Sequence, residues 1–128
     1  MLRLRMMRAP QKYVQGKNSL LQFHKEMESL GDKWLFICSR SGYKMTHDKI
    51  EKSFEGTQDV RQYEIFGGVS STGEIERMRK IVRDNGLNVV VGVGGGSAID
   101  TAKATAYYEK LPVVIVPTVV TPSFIISP

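Results

Sequence analysis

The stretch VVVGVGGGSAIDTAKA, residues 89–104, decides how the rest of the chain is read. Val89, Val90, Val91 and Val93 make a stiff β-branched run. Such a run, without polar alternation, reads as a strand covered on both faces. Glycine fills positions 92, 94, 95 and 96, and Ser97 then opens a run of good helix formers. Glycine tolerates positive φ and lets a ligand approach the backbone closely. A helix beginning near Ser97 has unpaired amides in its first turn and the positive end of its dipole there. Turn and helix end together suit an anion such as a pyrophosphate, and Ser97 adds a hydroxyl donor. The plainer alternative is a tight turn that only packs a helix on a sheet, but four glycines exceed what that needs. The spacing itself is moderately specific. Gly-x-Gly-x-x-Gly is not met, because Ser97 and Ala98 hold the last places; no Gly-Lys-Ser/Thr follows, and Glu109 falls short of the usual downstream acidic position.

Working outward, strands and helices alternate. KWLFIC (33–38) is a short apolar strand, and VRQYEIF (60–66) a second one ending at Gly67-Gly68. NVVVGV (88–93) and PVVIVP (112–117) are the third and fourth. Between them, THDKIEKSFEG predicts a helix capped by Thr46, with Ile50 and Phe54 on one face and Gly56 ending it. STGEIERMRKIVRDNG predicts another, started by Ser71 or Thr72, striped by Ile75, Met78, Ile81 and Val82, and stopped at Asn85-Gly86. SAIDTAKATAYYEK is a third, SLLQFHKEMESLG (19–31) is a helix before the first strand, and KYVQG (12–16) adds an edge strand. This alternation gives an α/β class: an open, mostly parallel sheet flanked by helices, Rossmann-like, with ligands at the carboxyl ends of its strands.

Composition narrows the function classes. With 128 residues, one domain of modest core is expected. No apolar run approaches the length of a bilayer span. The start, MLRLRMMRAP, lacks a secretory apolar centre; it is weakly transit-like, or reflects a start codon further along at Met6 or Met7. The net charge is +5, and Arg3, Arg5 and Arg8 supply three of those charges, so no nucleic-acid-binding face is implied. The single cysteine, Cys38, excludes an internal disulfide, fits a cytoplasmic location and reads as a buried structural thiol.

GVGGGSAIDTAKA also resembles the signature of the iron-containing (group III) alcohol dehydrogenases. APQKYVQGKNSL and FGGVSSTGEIERM narrow the resemblance to the glycerol dehydrogenases of that family, and VPT (116–118) falls where the family continues. The blocks run in order from Ala9 to Thr118. The resemblance implies an amino-terminal dinucleotide-binding domain, a carboxyl-terminal helical domain holding a divalent metal (zinc or iron), and oxidation of glycerol to dihydroxyacetone with NAD by hydride transfer. By position it implies that Gly94, Gly95, Gly96 and Ser97 hold the pyrophosphate, with Ala98 and Ile99 near it. Thr118 and Thr121 would line the cofactor cleft, and Asp100 would cap or brace the loop.

The chain also departs from the family. Full-length members are much longer, and their Asp and His metal ligands lie in the helical domain, so the polyol substrate is expected only together with that domain. His24 and His47 do not replace those ligands and read as solvated. VVTPSFIISP stands where the family reads approximately Ser-Thr-Asp-Ala-Pro. The family usually places an Asp after the first of the long strands; here Ser39-Arg40 stands there, and Arg40 either meets a 2′-phosphate or points to water. Weakened NAD preference and tolerance of NADP follow from the first alternative. The expected organisation is a basic tail over 1–10, a dinucleotide-binding domain over 11–118 and an atypical tail over 119–128 where the chain is truncated. The expected function is the NAD(P)-binding portion of a glycerol-dehydrogenase-like oxidoreductase, inactive alone and prone to self-association through uncovered surface. The rivals are a free-standing module docking on another chain, a non-functional remnant and, more distantly, a dehydroquinate synthase.

Overall fold

The fold is known from a computed structural model that describes residues 13–15, 19–68, 70–118 and 123–126. Six strands form one sheet: β1 (Tyr13–Gln15), β2 (Lys33–Cys38), β3 (Val60–Ile65), β4 (Val89–Gly94), β5 (Val113–Pro117) and β6 (Ser123–Ile126). Their order across the sheet is β1-β6-β5-β4-β2-β3. The four adjacent strands β5-β4-β2-β3 are parallel, with Trp34 opposite both Arg61 and Val89, and Val90 opposite Val113. β6 runs antiparallel to β5 and β1 antiparallel to β6. The edge strand expected at 12–16 is therefore present over Tyr13–Gln15, and residues 123–126 of the C-terminal tail lie in the sheet.

Why the apolar runs are continuous is now plain. Side chains alternate along a strand, so Trp34, Phe36 and Cys38 enter one core with Val89, Val91 and Val93. Leu35, Ile37 and Val90 enter the opposite core. The first core is roofed by a short α1 (Phe23–Met27), flanked by 3-10 turns, and by α2 (Arg40–Ser53). The second is roofed by α3 (Thr72–Asn85) and α4 (Gly96–Glu109). Three layers result: β2 and β4 are covered on both faces, whereas the edge strand β3 is partly exposed, most at Val60 and Ile65.

Two helices differ from expectation. Residues 19–31 do not form one α-helix: Ser19–Gln22 and Glu28–Leu30 are 3-10 turns on either side of Phe23–Met27. The inward stripe Leu20, Phe23, Met27 survives the change, because burial of those side chains rather than helix propensity holds the segment. The second helix starts far earlier than Thr46. Its N-cap is Ser39, whose Oγ accepts from Gly42 N at 2.9 Å, while Thr46 is buried mid-helix and donates to Gly42 O at 2.7 Å. Thr46 has cap chemistry but its hydroxyl bonds back one turn instead. The helix ends at Ser53, with Phe54 as its C-cap, before Gly56.

Candidate functional site

The chain reverses its direction of winding between β2 and β4. β3 lies on one side of β2 and β4, then β5, on the other. In open α/β sheets the crevice at the carboxyl ends of strands where this reversal occurs is where ligands bind. Here that crevice holds the turn Ser39-Arg40 after β2 and the turn Gly94–Ser97 around the end of β4. The two are stitched together, since Ser39 N donates to Val93 O at 2.9 Å.

A cleft of about 390 Å³ opens there, lined by Ser39, Arg40, Phe66, Gly67, Gly68, Gly95, Gly96, Ser97 and Ala98. Of the residues expected in a cofactor site, Ser39, Arg40, Gly95, Gly96, Ser97 and Ala98 thus share one wall-to-wall opening. Gly94 lies behind it, buried at the end of β4. Ile99 is half-buried one residue beyond Ala98 and is not part of the lining. Thr118 sits at the end of β5, where its N–H donates to Gly94 O at 3.3 Å, and it too stands off the lining. Thr121 lies outside the described residues. Phe66, Gly67 and Gly68 were not anticipated. The available signal was their position: a Gly-Gly pair directly after a parallel strand must fall on the same carboxyl edge as the other turns.

The four glycines of the opening stretch have different physical reasons. A Cβ on Gly92 would lie 2.7 Å from Ala102 Cβ and 3.2 Å from Ile99 Cα, so Gly92 lets α4 lie close on β4. The small buried side chains of Ala98, Ala102 and Ala106 on that helix face serve the same close packing. Gly94 has φ 133°, and a Cβ there would strike Ser39 Oγ. Around Gly95 and Gly96, in contrast, no other described residue beyond the local chain lies within 4 Å of the missing Cβ. Protein packing does not require glycine at those two places; they bare the backbone towards the cleft.

Gly95 is the N-cap of α4 and has no side chain with which to cap it. Gly95, Gly96 and Ser97 are exposed, and Ala98 is buried. No described side chain accepts from the first-turn amides of α4, so these donors and the helix dipole face the cleft. The N-terminus of α2 opens on the same crevice through Ser39. Ser39 Oγ accepts from Gly42 N, and its own hydroxyl proton has no acceptor among the described residues. Lower in α4, Thr101 Oγ1 donates to Ser97 O at 2.9 Å and lies 3.0 Å from Ser70 Oγ, which holds the loop before α3 against the helix. Asp100 neither caps nor braces the turn: it is exposed, five residues into α4, past the amides a cap must reach.

The histidines correct their expected solvation. His24 is mostly buried, with Nε2 3.1 Å from Asp59 Oδ2 and its ring 4.8 Å from that of Phe54. His47 stacks on Tyr43 at 4.6 Å and meets the Tyr63 ring edge-on at 4.8 Å. Both are packing residues. Among the described residues no group of three or more His, Cys, Asp or Glu is placed to hold a metal ion. Cys38 is buried at the end of β2, and burial pushes its thiol up to about 12. No helix among the described residues is long and apolar enough to cross a membrane.

Known proteins resemble this chain in sequence and in fold. The family model of iron-containing alcohol dehydrogenases matches residues 10–125. Glycerol dehydrogenase of Pseudomonas putida is 35% identical over 115 residues, covering 90% of this chain and 32% of the relative. That of Citrobacter freundii is 35% identical over 116 residues, 91% of this chain and 32% of the relative. Among solved structures, glycerol dehydrogenase from Schizosaccharomyces pombe superposes with a TM-score of 0.75 at 28% identity, over 82% of this chain and 27% of that one. The chain thus spans about a third of the length of the curated relatives it matches.

Proposed function

The chain belongs to the iron-containing alcohol dehydrogenase family and is glycerol-dehydrogenase-like, and from that premise we propose that it is the part of such an oxidoreductase that binds the dinucleotide cofactor. The observation that carries this reading is the pair Gly95-Gly96, bared towards the cleft with no other described residue beyond the local chain within 4 Å of either missing Cβ, at a helix N-terminus without a side-chain cap. A pyrophosphate fits that cradle in charge and in donor supply. Gly95, Gly96, Ser97 and Ala98 would hold it, with Gly94 shaping the turn and Ile99 and Thr118 supporting it from behind. When bound, an NAD-type cofactor supplies hydride transfer at its nicotinamide. This chain's residues supply binding and orientation: amides on the diphosphate, the Ser97 hydroxyl beside them, and Phe66 as an apolar wall. Glycerol or a similar polyol is the substrate class suggested by the relatives. The described residues do not fit a metal centre.

The test separates fold from ligand. Gly96→Ala adds a methyl where the protein has free space, in a helix, so the unliganded protein should be as stable as the parent or more so, by up to about 1 kcal/mol. The same methyl should weaken dinucleotide binding about tenfold or more. Melting curves with and without saturating NAD and NADP read both quantities. An unchanged ligand-induced shift in this variant would sink the reading.

A further inference from the structure

The cleft's charge suggests which dinucleotide it takes. We propose that Arg40, assisted by the Ser39 hydroxyl, binds a 2′-phosphate on the adenosine ribose and gives this chain a preference for NADP over NAD; the proposal rests on the dinucleotide reading above.

Of the described residues that line the cleft, Arg40 alone carries a charge, and none carries a carboxylate. Its guanidinium is exposed and has no ion-pair partner among the described residues, whereas Arg61, Arg77, Arg79 and Arg83 are all paired with glutamates. The nearest acidic group on the Gly67 rim is Glu74, and it is already committed. Its Oε2 accepts from Gly67 N at 2.9 Å and lies 2.8 Å from Arg77 Nη2.

Placement matters as much as charge. β2 and β4 are neighbours, so the turn after β2 flanks the anion cradle after β4. That flanking turn is where a Rossmann-type site meets the ribose hydroxyls. A carboxylate there accepts from the 2′-OH and repels a 2′-phosphate; an arginine does the reverse. Here the first position is Ser39, with a free hydroxyl proton, and the next is Arg40, whose planar fork matches phosphate oxygens. The first turn of α2 contains no acidic residue, so its dipole adds to the same positive field.

The experiment is a calorimetric titration of the whole chain with NAD and with NADP, repeated for Arg40→Ala and Arg40→Asp and at low and high salt. The readout is the ratio of the two affinities. Expected is NADP tighter than NAD by about tenfold or more, as for a charge-assisted contact. The ratio should collapse towards one in Arg40→Ala, reverse in Arg40→Asp, and shrink at high salt in the parent. Melting of the unliganded variants should match the parent, since Arg40 has no described ion-pair partner to lose. A parent that binds NAD as well as or better than NADP, or a ratio indifferent to Arg40, overturns the proposal while leaving the dinucleotide reading intact. Binding of neither cofactor overturns that reading, and the proposal with it.

Discussion

At the scale of single residues, neighbouring glycines of one loop answer to different constraints. Gly94 combines a φ of 133° with Ser39 pressed against the site of its missing Cβ. Gly94→Ala should therefore destabilise the fold by more than about 2 kcal/mol, as strain and a clash add. A urea midpoint equal to the parent's would contradict this. The sequence reveals that the glycines cluster, and a cluster of four already argues for more than a turn. It does not reveal which glycine serves the backbone, which the helix packing and which the ligand. That division depends on Ser39, far off in sequence, and on Ala102, nearly two turns into the next helix. Asp100 shows the reverse error. The family resemblance implied a cap or brace at this position, which its place on the exposed face of α4 denies.

At the scale of elements, α3 was legible from end to end. Ser71 Oγ accepts from Glu74 N at 3.2 Å, and Gly86 closes the helix with φ 63°. Its apolar stripe turns Met78 and Val82 into the core. Ser71→Ala should cost about 1 kcal/mol, read from the shift in thermal or urea unfolding. The start of α2 was not legible, because Gly42 in its first turn looks like a turn residue. The structure gives that glycine a different reason: a Cβ there would stand 2.9 Å from Val93 O, so it allows α2 to rest on the end of β4. The site followed the same rule. The anion turn after β4 could be read locally; for Phe66–Gly68 the sequence signalled the carboxyl edge of a parallel strand but not that it faces that turn. Which turns meet is set by strand order, and periodicity along one strand carries no information about its neighbours.

At the scale of the whole molecule, the layers are held by apolar burial and trimmed by glutamate–arginine contacts. Glu109 of α4 accepts from Arg79 and Arg83 of α3, at 2.8 Å from each, and so ties those helices together. Glu51 takes Arg61 and the Tyr63 hydroxyl across α2 and β3. Arginine hydrogen bonds hold the carboxyls of Glu51, Glu74 and Glu109 below the ordinary value of 4.5. A carboxyl depressed in the folded state adds stability above its unfolded value and loses it as pH falls through its folded one. The fold should hold full stability at neutral pH and weaken progressively below about pH 4.5. Glu109→Gln should be less stable than the parent at pH 7, with the gap closing in acid; a gap independent of pH would contradict the assignment. The sole tryptophan, Trp34, adds a practical consequence. It is fully buried at the amino end of β2, with Nε1 donating to Asp59 Oδ2 at 2.9 Å. The ligand-facing turn lies at the other end of the same strand, roughly 15 Å away. The molecule thus carries a single indole sunk in its interior and remote from its mouth, so the colour of its tryptophan emission is a gauge of structural integrity rather than of occupancy.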